Sequence, residues 1–202
     1  TDDKPVNRET RQWLHQHEVP IPPSYGDLCV RDGDLATLLE LKSWVSFACT
    51  MKAAMYAAEN GQINFLESLF TEFHLPYNSK LLEAAASGGH MAAVKHLLAK
   101  GDAKNLEAAF LGALRGGHTS IARHLVSLQP QLISTPGALT VAASRGYLEE
   151  VKWLAPEVGP EARLSYVTLD RAAKGGHLSV VTWLHEHMNS RASVREIGRA
   201  HV

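Results

Sequence analysis

The chain has 202 residues, of which 45% are hydrophobic and 20% charged, a balance that excludes a sequence too polar to bury a core. Twenty Lys and Arg stand against 21 Asp and Glu for a net charge of −1, and no basic run appears that would make a nucleic-acid tail or a membrane patch. No apolar stretch approaches the roughly 20 residues of a membrane span, and no secretory signal opens the sequence, although the missing initiator Met leaves room for a trimmed leader.

The first predicted element covers residues 8–17 (RETRQWLHQH), where Trp13-Leu14-His15 matches Trp183-Leu184-His185 near the other end. It reads as the second half of a repeat. Residues 18–24 (EVPIPPS) follow as a proline-rich connection, because each proline pushes its predecessor out of helix. From there a glycine recurs as Gly33, Gly61, Gly89, Gly117, Gly146 and Gly176, at intervals of 28, 28, 28, 29 and 30 residues. Eight residues after each stands a leucine (Leu41, Leu69, Leu97, Leu125, Leu154, Leu184), and four before each stands a small residue (Cys29, Ala57, Ala85, Ala113, Ala142, Ala172). Positions 2, 5 and 8 after the glycine form an apolar stripe at helical spacing.

Upstream stretches such as Lys80–Ser87 and Val167–Lys174 carry helical periodicity directly into the glycine, which predicts a first helix ended by a left-handed residue. Each repeat is then helix, tight turn, helix. Neither helix exceeds about ten residues, fewer than the roughly 12 to 15 that an isolated helix needs in water, so stability must come from stacking. The predicted fold is all-α, an α-solenoid of stacked helix-turn-helix units with nearest-neighbour energetics. It forms one domain over residues 1–202: a half repeat and connection at 1–24, six repeats at 25–192, and a capping helix at 193–202 (SVREIGRAHV) that resembles the first helix of a further unit.

The residues that could carry chemistry mostly fall into these columns. Gly112–Thr119 (GALRGGHT) imitates a phosphate-binding loop, but it lacks the lysine and the preceding strand that such a loop requires. His90, His118 and His177 share the position just after the glycine, where a ring can bond backbone at the start of a helix. His96 and His124 share a column with Trp153 and Trp183, where stacking neighbours could titrate together near neutral pH. His15/His17 and His185/His187 are two residues apart and cannot share a helix face, which argues against zinc. Trp13, Trp153 and Trp183 read as core. Cys29 and Cys49 read as buried thiols of a chain made for a reducing compartment. No catalytic residue, metal site or cofactor is assigned.

The segments AASGGHMAAVKHLLAKGDA (85–103) and AAKGGHLSVVTWLHE (172–186) resemble the ankyrin repeat, whose pattern contains AAxxGHxxxVxxLLxxGA. The resemblance covers nearly the whole chain. It is closest at Gly89 and Gly176, and weakest at Gly33 and Gly61, where Asp34 and Gln62 replace the histidine. The Trp-Leu ending of several units is similar to divergent repeats of microbial eukaryotes and giant viruses. The family's Thr-Pro-Leu-His opening is absent and the period is shorter than the usual length of about 33 residues, so the resemblance implies ankyrin-like units lacking most of their β-hairpins.

In ankyrin-like arrays the two residues before the glycine line a concave face. Here they include Arg31-Asp32, Glu59-Asn60, Ser87, Arg115, Arg145 and Lys174, a row that changes sign along the chain. The resemblance thus implies a non-enzymatic scaffold that binds a partner protein there, with an acidic surface or peptide matching its basic half. The chain is expected to be monomeric, without a membrane partner, and intracellular, with the cytoplasm as its compartment. Three alternatives stand beside this: a secreted microbial effector acting in a host cytoplasm or the recruiting part of a larger adaptor; nucleic-acid binding through the basic residues; and an enzyme whose site lies in loops 72–80 or 155–166, for which no nucleophile, base and orienting group stand in recognisable spacing.

Overall fold

A short helix must find partners for its last carbonyls, and the six column glycines meet that need in one way each time. The computed structural model describes residues 8–17, 19, 24–43, 49–101, 106–158 and 166–187. In it Gly33, Gly61, Gly89, Gly117, Gly146 and Gly176 all have φ between 66° and 83°, the left-handed region open to a residue without Cβ. The residue after each glycine donates its backbone N–H to the small residue five positions back: Asp34 to Cys29 at 2.8 Å, Gln62 to Ala57 at 2.8 Å, His90 to Ala85 at 3.1 Å, His118 to Ala113 at 2.8 Å, Tyr147 to Ala142 at 3.1 Å and His177 to Ala172 at 3.0 Å. The glycine N–H bonds the carbonyl three back, as Gly61 does to Ala58 at 3.1 Å. Together these bonds form a Schellman closure, so the glycine and small-residue columns are two sides of one turn.

The described residues contain helices and no strand. Their contacts gather into two compact units, Thr1–Asn105 and Leu106–Val202, each holding three of these turns. In the first, α1 (Arg8–Gln16) precedes three pairs: α2 (Ser24–Asp32) with α3 (Leu35–Lys42), α4 (Met51–Glu59) with α5 (Ile63–Thr71), and α6 (Ser79–Ser87) with α7 (Met91–Lys100). Helix α4 packs on both α2 and α6, and α5 touches α7. Asp27 on α2 is buried and ties α2 to the start of α4, accepting from the Thr50 backbone N–H at 3.2 Å and its hydroxyl at 2.6 Å.

The second unit pairs α8 (Glu107–Gly116) with α9 (Thr119–Leu128), followed by a 3-10 turn at Pro130–Ser134, then α10 (Ala138–Ser144) with α11 (Leu148–Leu154). Helix α12 (Tyr166–Lys174) leads through Gly176 to α13 at residues 178–187. Helix α10 packs on both α8 and α12, and Thr140 and Thr168 join across the α10–α12 contact by a hydroxyl–hydroxyl bond of 2.8 Å. The Thr119 hydroxyl donates to the buried carboxylate of Glu150 on α11. The proline-rich connection at 18 and 20–23, and the helix expected at 193–202, lie outside the described residues.

The leucine and small-residue columns are buried in all six repeats. The apolar stripe holds at its fifth and eighth positions, where Leu38, Leu66, Val94, Ala122 and Val151 are fully buried beside the leucine column, and departs from expectation at the second. Two residues after the glycine, Leu35, Ile63, Met91, Thr119 and Leu148 are only half-buried and Leu178 is exposed. The fourth position is inward instead, occupied by Thr37, Phe65, Ala93, Ile121, Glu150 and Val180, all buried. In the last repeat Val180 takes the buried place and Val181 is half-buried. Tryptophan as core also needs correction. Trp13 is 53% exposed, its indole stacked on His17 at 4.1 Å. Trp183 repeats that stack on His187, also at 4.1 Å, and is half-buried. Trp153 is half-buried too, edge-on to Phe110 and covered by the Arg123 guanidinium at 4.8 Å.

Candidate partner interface

A turn closed entirely by backbone bonds takes none of its closing bonds from the side chains of the two residues before the glycine. In the first unit these are Arg31 and Asp32 at the end of α2, Glu59 and Asn60 at the end of α4, and Ser87 at the end of α6. All are exposed except Ser87, which is half-buried. They largely engage their own neighbourhood. The Arg31 Nε donates to Asp32 at 3.0 Å, the Asn60 amide donates to the Tyr56 carbonyl at 2.8 Å, and the Ser87 hydroxyl donates to the Ala84 carbonyl at 3.0 Å.

In the second unit the corresponding positions hold Arg115 on α8, Arg145 just past α10 and Lys174 on α12, all exposed. Because α8, α10 and α12 are neighbours in that order, the three cations stand at one end of a three-helix row. That end is the C-terminal one, where the helix dipole favours positive charge. The sequence places no acid in these columns, but the structure supplies one from the turn before: Lys174 Nζ lies 2.8 Å from Asp170, with both side chains more than half exposed. Such a surface pair holds its partners weakly.

The histidines after the glycine face backwards rather than capping their own helices. His90 and His118 make no side-chain cap bond. The His177 ring donates through Nε2 to the Ser144 carbonyl of the preceding repeat at 3.0 Å, and it lies where a Cβ on Gly146 would fall. His90 occupies the same place over Gly61, and Tyr147 over Gly117. At Gly61, Gly117 and Gly146 the column glycine therefore answers two demands, its left-handed φ and the ring of the following repeat, whereas at Gly33 and Gly176 a Cβ would meet nothing within 4 Å. One residue earlier, a Cβ on Gly88 would meet the Glu59 carbonyl oxygen. These contacts were not legible as spacing, since they join residues about one period apart through a ring and a bare backbone.

The remaining polar groups are dispersed. His96 lies with Nδ1 3.9 Å from Glu67. Lys42 bonds Glu72, and that bond holds the Glu72 carboxyl below its usual range. Cys29 and Cys49 are free and buried; burial first, then the nearby Asp27 and Cys29, push the Cys49 thiol up to about 12. Burial likewise raises the Tyr77 phenol. Among the described residues no group of three or more His, Cys, Asp or Glu side chains is placed to hold a metal ion, and no helix is long and apolar enough to cross a membrane. Gly112, within the sequence that imitates a phosphate loop, is buried in α8, and Gly117 closes that helix.

No family model matches the chain, and no curated protein matches it.

Proposed function

We propose that this chain is a non-enzymatic interaction scaffold, an ankyrin-like stack of short helical repeats that binds a partner protein along the ends of its first helices. One observation carries this reading: the turns close through backbone alone, and the mostly exposed side chains just before the glycine differ from repeat to repeat. Binding on helices already fixed by packing loses little ordering entropy. The C-terminal row of Arg115, Arg145 and Lys174 selects an acidic surface or peptide. The test is affinity capture with quantitative mass spectrometry, comparing the chain with its Arg115/Arg145/Lys174→Glu variant at matched helicity and melting temperature. A protein recovered by the first and lost by the second supports the reading. Equal recoveries from two folded proteins overturn it.

A further inference from the structure

The basic row is a ruler as well as a charge. Helices α8, α10 and α12 are successive neighbours, and packed helices lie about 8 to 10 Å apart, so the Arg115, Arg145 and Lys174 positions repeat at about that interval. Arg145 stands one residue further along its turn than the other two, a displacement that its long side chain can absorb. A ligand that meets all three cations needs carboxylates on one face at the same interval. An extended β-strand rises about 3.3 Å per residue with side chains alternating, so same-face carboxylates fall at about 7 or 13 Å and miss it. A polyproline II segment has three residues per turn and rises about 3.1 Å per residue, which places every third side chain on one face at about 9 Å. An α-helix could offer one carboxylate every seventh residue, but helices dock through an apolar face into an apolar groove. Of the exposed apolar side chains in this last repeat, Tyr166 and Val167 are at the other end of α12 from Lys174, and Leu178, just past the turn, is a single side chain and not a groove.

Resting on the scaffold reading above, we infer that the second unit binds a polyproline II segment carrying a carboxylate at every third residue, one each for Arg115, Arg145 and Lys174. Prolines between the acids pre-form the ligand, and its backbone, which makes no internal hydrogen bonds, lies along the helix ends. Lys174 exchanges its exposed Asp170 partner for the ligand, and Arg115 exchanges its own present interaction in the same way.

Fluorescence anisotropy with the full chain and labelled peptides tests this. The probes are (Glu-Pro-Pro)3, a peptide of identical composition with its three glutamates adjacent, a helical peptide with glutamates seven apart, and a short oligothymidylate. The regular peptide is expected to bind at least about tenfold tighter than each other probe, and to lose about tenfold on Arg145→Glu and less on Arg145→Lys, with unchanged melting. Equal binding of the clustered peptide reduces the row to undirected charge and overturns the register. Tighter binding of the helix overturns the conformation, and tighter, steeply salt-dependent binding of the oligothymidylate overturns the ligand class. If no peptide binds while partner capture still depends on the three cations, this inference fails and the scaffold reading survives; if capture is also indifferent to them, both fail.

Discussion

The two units are built on the same turn three times over, yet they carry different charge at its edge. In Thr1–Asn105 the row mixes signs, with Arg31 bonded to its neighbour Asp32 and Glu59 in the next repeat of the same column as Arg31. In Leu106–Val202 it holds Arg115, Arg145 and Lys174. Both rows precede left-handed glycines with the same backbone bonds. Sign at these positions is therefore independent of the fold, which is the condition for a surface tuned to a ligand.

The largest test asks whether the units share one packing logic. Leu97→Ala in the first and Leu125→Ala in the second remove fully buried side chains from the same column, and each is expected to cost about 2 to 5 kcal/mol in urea unfolding. A normal curve for either breaks the proposed register. A sharper contrast comes from Gly88→Ala and Gly175→Ala. Alanine is ordinarily the better residue at a helix end that is not left-handed, but the new methyl on Gly88 meets the Glu59 carbonyl, a backbone atom with little room to move. A loss of about 1 to 3 kcal/mol is expected there, as for overpacking in a core. At Gly175 the nearest atoms belong to the His177 ring, and the Ser144 carbonyl is 3.1 Å away, so thermal melting should show the smaller loss.

His177→Ala removes a bond between repeats and is expected to cost about 0.5 to 1.5 kcal/mol, measured by the same melting. Near neutral pH the smallest effects are electrostatic and confined to the first unit. The Cys49 thiol is raised from 9.0 to about 12, so the folded state holds its proton longer than the unfolded one. Its contribution to stability is full below pH 9 and is lost as pH rises from 9 towards 12; Cys49→Ser should flatten that limb of the pH–stability curve. Glu72 has the opposite sign. Lowered by Lys42, its contribution is present above the ordinary carboxyl value and lost as pH falls, and Lys42→Ala should bring its NMR titration midpoint back up.

The turns were legible because they need residues of one kind at one place: glycine for its φ, and a small residue where two first helices meet. The inward stripe was legible at its fifth and eighth positions and misread at the second, and the buried fourth column was missed because Thr37 and Glu150 break its apolar pattern. A buried polar residue announces itself only through its partner, as Glu150 does through Thr119, and that partner lies about one period away. Trp13 carries the most hydrophobic-looking signal of α1, but it lies against its own helix, on His17, whose Nδ1 bonds the Trp13 carbonyl at 2.8 Å. The interface residues were legible as a row. Which of them are engaged locally, as Lys174 is by Asp170, depends on the turn before and on rotamers, and the columns do not record either.

The Schellman turn asks for one glycine and one small neighbour, and takes every other bond from the main chain. A chain joined in this way keeps its glycine and its buried columns and can vary outside them, with His90 in one repeat and Tyr147 in another, or an arginine where a neighbour has a glutamate, and still close each helix pair. Repeats that share their backbone hydrogen bonds therefore need few letters in common.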